Sequence, residues 1–151
     1  MKAFSLFLVA ALVATPARAE GWTRYCNARF GQCADIPPNY RSDPPPENGD
    51  GLVFRDGAGM SITVSAMNNA LNDTVASQRQ SAIELEAAPT YQAQAPNWFV
   101  ISGVKGDIVF YVKSFVTKST ISDLWIEYPA ARKADYDAVV VRVAKSFTPA
   151  R

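Results

Sequence analysis

Cys26 and Cys33 are the two cysteines of a 151-residue sequence that contains no histidine. Without histidine there is no Ser-His-Asp or Cys-His nucleophile and no His-liganded zinc, and two sulfurs are too few for a four-cysteine iron–sulfur cluster. What the pair can do is close a disulfide. Gly31 lies between the two cysteines, so a hairpin brings their side chains into register. Closing so small a ring is worth about 2.5 kcal/mol of loop entropy. Redox activity is the alternative use, but the spacing is not Cys-x-x-Cys and no redox motif surrounds it.

The remaining chemistry would have to come from oxygen and nitrogen side chains. Glu47, Asn48, Asp50 and Asp56 are oxygen ligands close together in sequence. Calcium wants six to eight oxygens at regular loop positions, and counting from Asn48 the fifth position is Leu52, so no EF-hand register fits. Asp35, Asp50, Asp123 and Glu127 are candidates for paired-carboxylate hydrolysis, yet no spacing singles out two of them. Ser102 and Lys105 match a Ser-x-x-Lys string but fall across a predicted hairpin turn rather than at a helix start. Gly49, Gly51, Gly57 and Gly59 precede no Gly-Lys-Ser/Thr, so they do not form a phosphate loop. Asn72-Asp73-Thr74 is formally a sequon, with helix capping as its competing use. No catalytic residue, metal site or cofactor is expected.

Charge and composition narrow the class further. Charged residues make up 19% and hydrophobic residues 48%, so the chain is long and apolar enough for one folded domain. A formal charge of +1, with Lys113, Lys118, Arg132, Lys133, Arg142 and Lys145 dispersed, does not point to nucleic acid. The N-terminus reads as a secretory leader. Met1-Lys2 is the positive start, residues 3–14 are apolar apart from Ser5, and Ala17-Arg18-Ala19 is the small-x-small cleavage signal. The apolar run is too short for a stable membrane anchor, which needs roughly 20 residues. Cleavage after Ala19 leaves a single domain over residues 20–151 in an oxidising compartment, periplasmic or secreted.

The elements that must position these residues follow from period and punctuation. Residues 22–36 read as two short strands about a turn at Arg29 to Gly31. Residues 37–51 then hold five of the ten prolines, with Asn-Gly and Asp-Gly turns, and fit neither helix nor central strand. Residues 52–55 and 60–66 read as a hairpin about Asp56-Gly57-Ala58-Gly59. Asn68, Asn69 and Asn72-Asp73 end it and offer caps for a helix over 74–86, with Val75, Ala76, Arg79, Ala82, Ile83 and Glu86 on its inner stripe. Residues 97–104, 107–117 and 120–128 form a three-strand meander. Tyr136, Val139, Val140, Val143 and Phe147 recur at helical spacing over 133–147. Trp98-Phe99, Phe110-Tyr111 and Trp125-Ile126 place bulky groups on both sheet faces, so each face is expected to need a helix. The expected fold is α+β, an α/β/α sandwich about a central antiparallel sheet with an N-terminal disulfide-linked hairpin.

Three strings carry a resemblance. Tyr25-Cys26-Asn27-x-Arg29-Phe30-Gly31-x-Cys33, Pro45-Pro46-Glu47-Asn48-Gly49-Asp50-Gly51 and Glu127-Tyr128-Pro129 resemble small exported bacterial proteins of unassigned activity. The element order is similar to the PsbP-like fold of photosystem II extrinsic subunits and DcrB-type periplasmic proteins. The resemblance covers most of residues 22–149 and implies a binding, assembly or accessory role with no catalytic residue to transfer. Gln32-Cys33-Ala34 departs from it, being more polar than an inner strand, and reads as an edge strand.

These readings converge on an exported protein that recognises another protein or an envelope component. A carboxylate-dependent envelope hydrolase and an inhibitor or immunity-type protein are the alternatives. With both sheet faces expected to be covered, binding falls to the proline loop, where Tyr40 and Arg41 are interface-forming residue types and Asp50 belongs to the acidic turn. Mass spectrometry of the protein recovered from its native compartment should find Glu20 at or near the N-terminus; intact Met1 in that pool would refute the leader.

Overall fold

Alternating strand residues and the hairpin turns between them build most of the chain. The structure is a computed structural model and describes residues 21–151. The leader expected over residues 1–19 lies outside the described residues. Among those described, no helix is long and apolar enough to cross a membrane.

The first two strands, β1 (Thr23–Cys26) and β2 (Cys33–Ile36), form a separate antiparallel hairpin. Cys26 and Cys33 sit directly opposite each other with Cα atoms 4.1 Å apart and are joined as a disulfide. The next three strands are β3 (Arg41–Ser42), β4 (Gly51–Arg55) and β5 (Ser61–Asn68). Helix α1 (Val75–Leu85) follows, then β6 (Tyr91–Ala95), β7 (Trp98–Lys105), β8 (Ile108–Val116) and β9 (Thr120–Pro129). A single 3-10 turn, Ala130–Arg132, leads into α2 (Lys133–Ser146). Strands β3 to β9 make one seven-stranded antiparallel sheet in the order β3-β4-β5-β9-β8-β7-β6.

The two helices take opposite faces. Tyr136, Val143 and Phe147 of the α2 segment are buried against Ile62, Val64, Leu124, Ile126 and Tyr128, and Val139 and Val140 pack beside them. Ala34 and Ile36 join this core, so the hairpin shares the α2 face. Lys113 reaches up from the sheet and its Nζ donates to the carbonyl of Ala144, 2.9 Å away, at the carbonyl end of α2. Across the sheet, Ala82 of α1 is buried against Phe99, Ile101, Phe110, Val112, Val116 and Ile121. The paired bulky residues split between the faces as alternation requires: Phe110 and Trp125 belong to the α1 side, Tyr111 and Ile126 to the α2 side.

Four expectations need correction. The meander has four strands, because Tyr91–Ala95 pairs with β7 before Pro96 turns the chain. Gln32, Cys33 and Ala34 are buried rather than at an edge. Cys33 exchanges backbone hydrogen bonds with Thr148, at 3.1 and 2.9 Å, so β2 has a partner on its second side. Helix α1 is capped by Thr74, whose Oγ1 accepts from Ser77 N at 3.1 Å while Ser77 Oγ accepts from Thr74 N at 2.9 Å. Asn69 instead pins the preceding loop, donating to Asp73 O and Thr117 O and accepting from Asp73 N. Finally, α1 does not cover its whole face. It packs on β7 and β8, and a helix about 10 Å wide spans only about two strands spaced about 4.8 Å apart.

Replacing both Cys26 and Cys33 with alanine should lower unfolding free energy by about 2 kcal/mol, read as a lower midpoint in urea. Complete thiol labelling of the folded protein without denaturant would contradict the disulfide.

Candidate functional site

The part of the α1 face that no described helix covers is the largest departure from the expected architecture, and its residues follow from the register. Directly paired residues share a face, so one row crosses Phe99, Ser114, Asp123, Ser65 and Gly51, and the next crosses Ile101, Val112, Trp125, Thr63 and Val53. The first residues of each row lie under α1. Beyond it, Val53, Thr63, Ser65 and Trp125 are only half-buried. The β5 sequence states the reason: Ser61, Thr63 and Ser65 alternate with Ile62, Val64 and Ala66, so one face of this strand is polar.

Asp123 lies in the floor of this patch. The Ser114 hydroxyl donates to its Oδ1. Burial pushes the carboxyl up to about 6, against the opposing pull of the Ser114 hydrogen bond. The proline loop rims the patch. A depression of about 260 Å³ is lined by Pro44, Pro46, Gly51, Val53, Thr63 and Ser65, with Asp43 and Asp50 at its margin. Asp43 is held there by Arg55, whose Nε donates to both carboxylate oxygens at 2.9 and 3.2 Å. Gly51 is needed at the rim: a Cβ there would come within 2.3 Å of the Val64 carbonyl oxygen and 2.6 Å of Ser65 Cα.

Tyr40, Arg41 and Asp50 do not meet in one place. Tyr40 is half-buried in a second depression of about 440 Å³ between the hairpin and β4, and its hydroxyl lies 2.9 Å from Met60 Sδ. Burial, followed by the nearby Asp56 charge, raises its pKa well above the ordinary phenol value. Arg41 is exposed, paired in register with Arg55, and lines a third depression of about 400 Å³ with Asn39, Asp43 and Asp56. The Asp50 carboxylate accepts from Asn48 Nδ2 at 2.8 Å, while its carbonyl accepts from both Gln32 Nε2 and Ala66 N at 2.9 Å.

The other chemistry-bearing residues are engaged in structure. Asp56 closes the β4–β5 turn, accepting from Ala58 N and Met60 N and from the Tyr136 hydroxyl. Burial alone would raise its carboxyl, but these hydrogen bonds outweigh it and hold the group below the usual range. Ser102 Oγ donates to Phe110 O, and Lys105 Nζ donates to Leu85 O and lies 3.8 Å from Glu86. Asp35 is on the hairpin, bonded to Arg24 at 3.1 Å. Asp123 and Glu127 share a strand face, with four residues of strand, about 13 Å of backbone, between them.

No protein-family model and no curated protein matches this chain. Solved structures share its architecture, among them these two. One is the solution structure of cyanobacterial PsbP (CyanoP) from Synechocystis sp. PCC 6803, at a TM-score of 0.63 and 11% identity, covering 91% of this chain and 97% of that one. The fold is PsbP-like. The other is the Ran-binding protein Mog1p of Saccharomyces cerevisiae, at a TM-score of 0.56 and 11% identity, covering 85% of this chain and 95% of that one. At such identity the likeness extends to the PsbP-like scaffold alone.

The position of Asp123 has a pH signature. Its folded pKa of about 6 stands above the ordinary value of 3.8, so the folded state holds the proton more tightly than the unfolded chain does. The stability this contributes is present below pH about 4 and is lost as pH rises through about 6, a change of about 2–3 kcal/mol. Urea titrations from pH 4 to 7 should show that decline in the unsubstituted protein and its absence in Asp123→Asn. Parallel pH profiles for the two would refute a buried acid at this position.

Proposed function

We propose that this chain is an exported binding or accessory protein whose partner, another protein or an envelope component, docks across the proline loop and the open half-sheet beside it. The observation that carries this reading is the patch formed by Val53, Thr63, Ser65 and Trp125, left open by α1 and rimmed by Pro44 and Pro46. A preformed surface loses less conformational entropy on docking than a disordered one, and prolines in the rim reduce that cost further. Arg41 and Asp50 stand at the margins of this surface as charged contacts. Tyr40 supports the rim from below, with its ring on the α2-side core. That Mog1p is a Ran-binding protein supports a partner-binding use of a scaffold like this one. The disulfide supports an oxidising compartment, and the apolar leader supports export through cleavage after Ala19.

Affinity capture from an envelope fraction should separate the roles of these residues. Arg41→Ala and Thr63→Lys should each lose the captured partner and leave the melting temperature unchanged, since both side chains stand outside the core. Tyr40→Ala should instead cost about 2 kcal/mol of stability through lost packing. Retention of the same partner by both Arg41→Ala and Thr63→Lys would place the docking surface elsewhere.

A further inference from the structure

The two edges of the PsbP-like sheet are built differently. At the β3 edge, pairing lasts two residues and the chain soon runs through Pro44, Pro45 and Pro46, which have no N–H to offer. At the opposite edge β6 runs five residues, Tyr-Gln-Ala-Gln-Ala, without a charge or a proline, bounded by Pro89 and Pro96. Sheet edges are ordinarily blunted by charge, proline or cover. Among the described residues, no segment pairs with the outer side of β6.

The pairing also says which backbone groups face outward. Val116 N donates to Asn97 O at 2.9 Å, so alternate residues from Asn97 onward bond to β8, and Trp98, Val100 and Ser102 turn to β6. Their partners are Ala95, Ala93 and Tyr91. Gln92 and Gln94 therefore aim their N–H and C=O groups away from the sheet. Their side chains lie on the α1 face, in the rows of Ile101 and Phe99.

Arg79 of α1 stands beside this edge. Its Nη1 donates to Gln92 Oε1 at 2.7 Å, a neutral acceptor, and its Nε is buried with no partner. None of the ion pairs among the described residues includes Arg79. A depression of about 370 Å³ is lined by Arg79, Gln92, Ala93 and Gln94. A half-buried guanidinium without a counter-ion favours a carboxylate over a neutral acceptor, because charge-assisted hydrogen bonds are stronger than neutral ones.

We infer that the free edge of β6 takes an extended peptide segment carrying a carboxylate. The peptide pairs with the outward backbone groups of Gln92 and Gln94 as an eighth strand, and an Asp or Glu side chain on its α1 face meets Arg79. A second copy of this chain fits the edge less well. Its own β6 would bring no anion and would set two Arg79 side chains on one face. The proline loop lies at the other edge of the sheet, so the two docking surfaces are independent.

A pentapeptide, Thr-Val-Glu-Val-Thr with both ends capped, tests this against its Gln counterpart by amide chemical shifts of the purified protein. The Glu peptide should shift the Gln92 and Gln94 amides and bind about tenfold more tightly than the Gln peptide. Arg79→Gln should equalise the two affinities. Gln94→Pro, which removes an outward N–H and no bond to β7, should abolish binding of both. A backbone N-methylated Glu peptide repeats that loss with the protein unaltered, whatever the substitution does to folding. No shift at Gln92 and Gln94, equal affinity of the two peptides for the unsubstituted protein, or binding that survives N-methylation would each overturn the assignment. Self-association of the free protein that Gln94→Pro removes would give the edge to a second copy and overturn it as well.

Discussion

A disulfide-closed hairpin grips the backbone where the proline loop becomes a strand, and the register of the sheet edge depends on that grip. Asn27 Nδ2 donates to Gly49 O at 3.0 Å, Arg29 Nη1 to Asn48 O at 2.6 Å, and Gln32 Nε2 to Asp50 O at 2.9 Å. Asn27 Oδ1 meanwhile accepts from Arg29 N and Phe30 N, which shapes the hairpin turn that presents these donors. Each bond is worth about 1 kcal/mol net, but a buried amide left unpaired costs about 1–3 kcal/mol, so the arrangement resists partial loss. Ala66 N closes the other side of Asp50 O, and Gly51 then lies flat against Val64 and Ser65. From that point β4 continues along β5 in the observed register.

The same grip decides how the two faces are covered. Because the hairpin is anchored to the start of β4, Ala34 and Ile36 fall into the core beneath α2, and that face is closed by a helix and a hairpin together. Among the described residues, the other face has only α1, over β7 and β8. Among the strands left open, β5 turns Ser61, Thr63 and Ser65 to this face, which tolerate water, while Trp125 and Val53 keep the patch partly apolar. Asp123 sits where covered and open halves meet, deep enough to lose hydration and bonded to Ser114. Partly apolar residues beside serine and threonine hydroxyls, with a carboxyl of displaced pKa, are features that mark candidate functional surfaces.

An asymmetric sheet leaves two kinds of free surface. One edge is closed by prolines and the other presents a short neutral strand with a lone guanidinium at its flank. CyanoP and Mog1p share this scaffold at 11% identity, and a shared fold does not fix what its free surfaces bind.

Much of the architecture was legible from local pattern. The period-2 runs located β4, β5, β7, β8 and β9, the 3.6-residue stripe located α2, and two cysteines about a glycine turn predicted the hairpin disulfide. These signals are local because pleat, helical pitch and turn geometry each act over a few residues. Tyr91–Ala95 escaped because Gln and Ala carry little strand preference, and its pairing with β7 supplies what the residues lack. Gln32 looked like an edge residue because the carbonyl it serves, Asp50, is eighteen positions away. The separation of Tyr40, Arg41 and Asp50 into three depressions, and the joining of Asp123 to Thr63, Ser65 and Trp125, were likewise invisible along the chain. Which strand lies beside which, and how many strands one helix can cover, are set by long-range packing. Tertiary structure alone therefore decided which face stayed open.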